Sequence, residues 1–254
     1  MKALFLVLVL LAYPLPLWAA GVSPPGALSN DQKAEAAILD VFNFRYSDNK
    51  GVINYAEVYN ALGSLAGFGC QMAIREGLIR TGLVPEKDAF IVYRTKNGEK
   101  YFFGALLDAQ LFGSEKIKTS VWSLVGGAAR QAGAKDLPDI REIAAYDTKT
   151  LGTKAFGVPR ISPAYKVEKL PLAVLKRNWV PMQKILTDNQ VDPKFWGWIF
   201  ALAAQEEILK SKGAFDPGAA TRIVMEAAMP MATIDPALVL GAPQVRGALT
   251  IVPW

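Results

Sequence analysis

Apolar residues interspersed with small residues dominate one long stretch of the chain, from Ile53 to Arg80. Its small side chains recur at steps of three and four residues, which places them on one face of a helix: Gly63, Ala66, Gly67, Cys70, Ala73 and Gly77. A glycine inside a helix costs about 1 kcal/mol relative to alanine, so a stretch with several glycines needs a compensating gain. Close approach of a neighbouring backbone supplies that gain through dispersion contacts. The pattern therefore predicts a buried, Gly/Ala-rich central helix around which the chain packs.

Capping signals predict further helices on both sides of the central one. Ser29 and Gln32 form a capping-box pattern ahead of an amphipathic segment. A second glycine-bearing helix is predicted over 116–134, and we expect it to cross the central helix closely, with Trp122 beside the crossing. Asp136 and Pro138 mark one helix start, and in the second half of the chain an aspartate directly before a proline does the same, as at Asp216 and Pro217. The helices predicted there cover 138–148, 171–186, 193–212 and 217–229, the last of them ending at Pro230.

The single clear β pattern is AFIVYRTKNGEKYFFG, in which β-branched and aromatic residues flank Asn97 and Gly98. Asn-Gly is the pair that two-residue type I′ turns prefer, because both positions of that turn need a positive φ. We therefore predict a β-hairpin over about 90–103. Together with the helices, this gives a mainly α fold: a single helical domain around the buried central helix, with one β-hairpin.

The start of the chain has the pattern of an export signal. Lys2 precedes an unbroken apolar run, and small residues surround a cleavage point after Ala19. We expect residues 1–19 to be a signal peptide, residues 20–28 a linker, and residues 29–254 one helix-rich globular domain with a candidate hinge or internal boundary at 152–167. This predicts an exported protein, periplasmic or secreted, without a stable membrane span after cleavage; an uncleaved anchor is the alternative.

Composition narrows the chemistry that the chain is able to perform. Of its 254 residues, 52% are hydrophobic and 20% are charged, which is typical of a globular protein. The net charge of +5 is scattered, and the densest basic group (Lys166, Lys169, Lys176 and Arg177) is interrupted by apolar residues, so nucleic acid is not an expected partner. Histidine is absent and Cys70 is the single cysteine, which excludes His-based triads and internal disulfides. We expect no cofactor and no metal.

Polar residues at the end of the central helix are the first candidate site. Gln71 and Arg75 lie four residues apart and share a helix face, with Glu76 adjacent. A functional interpretation makes Arg75 a clamp for a carboxylate or phosphate. The structural interpretation makes it one half of an ion pair between helices, with one of three acids as its partner: Asp139, Glu142 or Glu226.

Two further groups complete the candidates. Arg222 and Glu226 form an i,i+4 pair, and we group them with Gln71, Arg75 and Trp122 as candidate binding residues. Asp139 and Glu142 could supply paired acids for catalysis together with Arg75 and Glu76. Acids in the first turn of a helix are, however, also expected from the helix dipole alone.

No catalytic motif stands out, so a binding role is the leading functional hypothesis. We expect an exported helical binding or interaction protein without catalytic activity, whose partner is a protein or a small molecule of unknown identity. One alternative is an exported hydrolase or lyase that uses carboxylates, which requires at least two of Glu76, Asp139 and Glu142 to converge in a cleft. Another is a secreted effector or the protein that neutralises one.

Overall fold

Ten α-helices and one β-hairpin make up the part of the chain that the computed structural model describes, residues 28–165 and 167–241. The predicted signal peptide and most of the predicted linker lie outside these residues. The helices are α1 (Asn30–Arg45), α2 (Tyr55–Ile74), α3 (Glu86–Ala89), α4 (Ala105–Phe112), α5 (Val121–Ala132), α6 (Ile140–Thr150), α7 (Pro171–Asp188), α8 (Trp196–Lys210), α9 (Pro217–Thr233) and α10 (Ala237–Leu240); the strands are β1 (Ile91–Arg94) and β2 (Lys100–Phe103). The mainly α fold with one hairpin is confirmed.

Helix α2 is the centre of the core, as predicted. Every residue of it after Tyr55 is buried, and it continues directly into one π-helical turn over Arg75–Ile79. Its glycines allow two other helices to approach the backbone: Gly67 faces α9 and Gly69 faces α8. A Cβ added at Gly67 would lie 2.7 Å from the carbonyl carbon of Ala228 and 2.8 Å from its Cα. The close approach that offsets the cost of helical glycine is therefore present.

The predicted crossing between α2 and the second glycine-bearing helix is wrong. A Cβ added at Gly126 of α5 would meet only side chains, those of Leu137 and Trp122, and one at Gly127 would meet nothing within 4 Å. Helix α5 packs on α8 and α9, and Trp122 lies half-buried at the edge of the core. Gly67 of α2 is matched instead by the backbone of α9 at Ala228, whereas Gly69 is matched by Gly197 of α8.

The hairpin forms with a different turn from the predicted one. Arg94 pairs with Lys100, which leaves a loop of five residues between the strands. The Thr95 N–H donates to the Glu99 carbonyl at 3.0 Å, and the Gly98 N–H donates to the Thr95 carbonyl at 3.0 Å. Gly98 has a positive φ of 85° whereas Asn97 does not, so only one position needs the left-handed region. The Thr95 hydroxyl also accepts the Glu99 N–H at 3.1 Å, and this bond favours the longer loop.

Several helix ends differ from the predicted ones. The side chain of Asp139, rather than Asp136, caps α6 by accepting the backbone N–H of Arg141. Helix α9 passes through Pro230 without ending there, although an internal proline loses one helical hydrogen bond. The whole segment from Met229 to Thr233 is buried, so tertiary packing offsets that loss.

Other sequence signals are confirmed by the hydrogen bonds. Ser29 and Gln32 form the capping box of α1, and Asp216 accepts the Ala219 N–H at the start of α9. Cys70 is a buried free thiol, and burial raises its pKa. Within the described ranges, no helix has both the length and the apolar character needed to cross a membrane.

Candidate functional site

The polar residues at the end of α2 attach neighbouring segments to the core. Gln71 is buried and its Nε2 donates to the Ile234 carbonyl at 3.0 Å. The Nη1 of Arg75 lies 2.9 Å from an Oε1 of Glu86, and its guanidinium carbon is 4.8 Å and 4.4 Å from the ring centroids of Phe90 and Phe102. Arg75 therefore forms an ion pair, as one interpretation predicted. Its partner is Glu86 rather than any of the three predicted acids.

The candidate catalytic acids each have a separate partner. Glu76 pairs with Arg80 across one helical turn at 2.5 Å. Asp139 accepts backbone N–H groups at the start of α6, and Glu142 pairs with arginines from other segments. Asp139 and Glu142 lie together at the start of α6, and none of the three acids lines either of the cavities described below.

Glu142 and Glu226 belong to an ion network with two arginines. Glu226 Oε1 lies 2.9 Å from Arg160 Nη2 and 3.0 Å from Arg222 Nη2, and Glu142 bridges the same two arginines. The hydrogen bond from Arg160 lowers the pKa of Glu142, whereas burial raises the pKa of Glu226. The network ties α6, α9 and the segment before α7 together, and the predicted pair of Arg222 and Glu226 is part of it.

Asp147, an acid beside this network, also has an altered pKa. Burial, followed by the nearby charge of Glu226, raises the pKa of Asp147 from 3.8 to about 7. Asp147 and Glu226 line one small cavity of about 10 Å³. That volume is close to the space that a single water needs, so the cavity has no room for a substrate.

A much larger cavity lies elsewhere, where α1 ends and α2 begins. We call it the α1–α2 groove; its volume is about 480 Å³, which is in the range of small-molecule sites. Its lining comes from the end of α1, the turn that follows, the start of α2, residues 168–169 and α7: Arg45, Tyr46, Ser47, Asp48, Val52, Ile53, Asn54, Glu57, Glu168, Lys169 and Arg177. Three acids and three bases line it, so the groove is strongly polar without an excess of either charge.

Glu57 is the buried acid of this groove, with 4% of its surface exposed. Its Oε1 accepts the backbone N–H groups of Glu168 and Lys169. Its Oε2 is buried and has no hydrogen-bond partner among the described residues. Asn60, one turn further along α2, donates to the Lys169 carbonyl at 2.8 Å and holds the same segment in place. One oxygen of Glu57 is thus fixed by the protein. The other has less than 1 Å² of accessible surface, so a donor reaches it only if the surrounding side chains shift.

The walls of the groove are held by local hydrogen bonds. Asp48 Oδ1 accepts the N–H groups of Lys50 and Val52, at 2.8 and 2.9 Å, which closes the turn between α1 and α2. Arg45 donates to the side chain of Asn178, a fully buried residue of α7. These bonds hold the backbone turn and the end of α1 that form the walls of the groove.

Bases of the groove lie nearer to solvent than Glu57. Lys169 and Arg177 are exposed and Arg45 is half-buried. Burial raises the pKa of Tyr46, and the negative charge of Glu57 raises it further. The groove therefore combines a buried acceptor with cations closer to its mouth.

Sequence reasoning did not identify this groove, although it noted two of its parts. Lys169 and Arg177 belong to the densest basic group of the chain, but their interrupted spacing does not show what they face. Glu57 follows the helix-capping Asn54 at the start of an otherwise apolar helix, and that isolated acid was the available signal. Glu57 is more than one hundred residues away from Lys169 and Arg177 in the sequence, so the sequence pattern does not show that they line the same groove.

Comparison with known proteins gives no independent lead. No protein-family model matches the sequence, and searches of curated proteins and of solved structures return no match for it.

Proposed function

We propose that this chain is an exported binding protein that holds a small zwitterion, such as an amino acid or a short peptide, in the α1–α2 groove without transforming it. The observation that carries the proposal is Oε2 of Glu57, which is buried in the groove wall and has no hydrogen-bond partner among the described residues. A buried acceptor without a donor is costly, so a ligand that donates an N–H there gains more than an ordinary surface hydrogen bond provides. An ammonium group suits this position because it brings both donors and a positive charge.

The cations of the groove account for the other end of such a ligand. Arg45, Lys169 and Arg177 can pair with a carboxylate, and arginine does so with two parallel hydrogen bonds. A purely anionic ligand would meet the charge of Glu57, and a purely cationic one would meet these bases. The balanced lining thus favours a ligand that carries both charges.

Catalysis is a weaker interpretation of the described residues. The carboxylate hydrolase or lyase requires two of Glu76, Asp139 and Glu142 in one cleft, and each of these acids has its own separate partner. The effector alternative stays a prediction. Export rests on the pattern of residues 1–19 alone.

The proposal is tested by calorimetric titration of the full chain with free amino acids, dipeptides, and their N-acetylated and C-amidated forms. We expect a zwitterion to bind and both blocked forms to bind at least about tenfold more weakly, because each loses one charged contact. Glu57→Gln keeps the oxygen that accepts the N–H groups of Glu168 and Lys169, and it should abolish measurable binding. Asp188→Asn, which alters an exposed pair with Lys184, is the charge-matched control and should bind like wild type. Equal binding by Glu57→Gln, or no binding of any zwitterion by wild type, would overturn the proposal.

A further inference from the structure

Strand β1 exposes both its apolar side chains and one of its backbone edges. It pairs with β2 along one edge, and within the described ranges no strand pairs with its other edge. All four of its residues are exposed, and the exposed fractions of Ile91, Val92 and Tyr93 are 72%, 42% and 50%. An apolar edge strand of this kind is a template for pairing with another strand.

The hydrogen bonds of the hairpin show which backbone groups face outward. The backbone N–H of Thr95 donates to the carbonyl of Glu99, so these two residues form a hydrogen-bonded pair. In an antiparallel ladder such pairs alternate along the strands with pairs that are not hydrogen-bonded. Ile91 and Tyr93 therefore direct their backbone groups to β2, while Val92 and Arg94 direct theirs to the open edge. An antiparallel strand centred on Tyr93 would therefore form backbone hydrogen bonds with Val92 and Arg94.

Charges on either side of β1 indicate which strand fits. Asp88, just before β1, is exposed and has no ion pair among the described residues, while Arg94 and Lys96 place two positive charges after the apolar residues of the strand. A second copy in antiparallel orientation, with Tyr93 opposite Tyr93, places Lys96 of one copy opposite Phe90 of the other, two positions from the Asp88 of that copy. A parallel copy would bring like charges together, which is unfavourable.

We propose that two copies of this chain associate through β1, edge to edge and antiparallel, to form a four-stranded sheet across a two-fold axis. The interface is isologous: Val92 of one copy pairs with Arg94 of the other, and the two Tyr93 residues lie opposite each other on the axis. This inference is independent of the groove, because no residue of β1 lines it.

Sedimentation equilibrium of the full chain over a range of concentrations tests the proposal. Wild type should show a monomer–dimer equilibrium, and Val92→Lys should weaken it at least about tenfold, because a lysine on an edge strand opposes edge pairing. Val180→Lys, a change of the same kind at a residue of α7 that is 62% exposed, is the matched control and should leave the dimer intact. Lys96→Glu should also weaken the dimer, and adding Asp88→Lys to that variant should restore part of the loss.

Amide hydrogen exchange on wild type keeps the test decisive if Val92→Lys does not fold. At high concentration the amides of Val92 and Arg94 should exchange at least about tenfold more slowly than in dilute protein, because they form new bonds. Those of Ile91 and Tyr93, already bonded to β2, should change little. A monomer at all concentrations, or a dimer unaffected by Val92→Lys, would overturn the proposal and leave the edge to a different partner.

Discussion

Replacement of Gly67 by alanine tests the close crossing of α2 and α9, on which the core depends. The added Cβ would lie 2.7 Å from the carbonyl carbon of Ala228, whereas ordinary van der Waals contact begins at about 3.4 Å. These are backbone atoms in the middle of a buried helix, so no flexible side chain can move aside. The carbonyl oxygen of Ala228 would be nearer still, so the two helices must separate by more than about 0.7 Å, and even a gap of that size forfeits about a quarter to a half of each dispersion contact along it.

The expected magnitude follows from two opposing effects. Alanine is favoured over glycine in a helix by about 1 kcal/mol, and overpacking of a core costs about 1–3 kcal/mol or somewhat more. We expect Gly67→Ala to lower the free energy of unfolding by about 2 kcal/mol, which is the upper end of the overpacking cost less the gain in helix propensity, because the clash meets backbone and not side chains. Gly127→Ala is the matched control: it is also inside a helix, its Cβ would meet nothing within 4 Å, and it should stabilise by about 0.5–1 kcal/mol.

Urea denaturation of the wild type and both variants, followed by circular dichroism, measures these differences. An unchanged slope with a shifted midpoint would attribute the effect to stability rather than to a change in the denatured state. Equal stability of Gly67→Ala and Gly127→Ala would refute the reasoning, since it would mean that the crossing accommodates a methyl group without separation.

Three further predictions follow from the described contacts. Gly98→Ala should destabilise the hairpin by about 1 kcal/mol because it needs a positive φ, whereas Asn97→Ala should be nearly neutral; amide exchange of β1 and β2 distinguishes the two. The pKa of Asp147 is raised from 3.8 to about 7, so between these pH values the native state keeps a proton that the unfolded state releases. The contribution of Asp147 to the free energy of unfolding therefore falls as pH rises from about 4 to 7. Asp147→Asn should remove this slope, and its advantage over wild type should grow by at most about 4 kcal/mol between pH 4 and pH 8 in urea denaturation. Arg160→Met should cost about 3 kcal/mol of unfolding free energy by removing a partner of a buried carboxylate, while Glu142→Gln, at an exposed position, should cost less than about 1 kcal/mol in the same assay.

Local features of the fold were predictable because neighbouring residues determine them. The capping box of Ser29 and Gln32 and the aspartate cap at Asp216 each depend on a few adjacent residues, and the structure confirms them. The burial of α2 was also predictable, since its glycines are too many for an exposed helix.

Features that depend on distant segments were not predictable. The glycines of α2 require a close neighbour without specifying which, and Ala228 supplies its backbone with no distinctive sequence pattern of its own. Pro230 does not end α9 because buried contacts offset the lost hydrogen bond, and these contacts come from other helices. The groove joins Glu57 to Arg177 across 120 positions of the sequence, so only the folded chain brings the two together.

The central claim is that the α1–α2 groove binds a zwitterion through Glu57, and native mass spectrometry tests it most directly. Wild type and Glu57→Gln are each mixed with the same panel of free amino acids and dipeptides and then compared in one experiment. We predict one ligand per chain on the wild type and none on the variant, with Asp188→Asn matching the wild type. A wild type that carries no ligand, or a Glu57→Gln variant that carries as much as wild type, would contradict the claim.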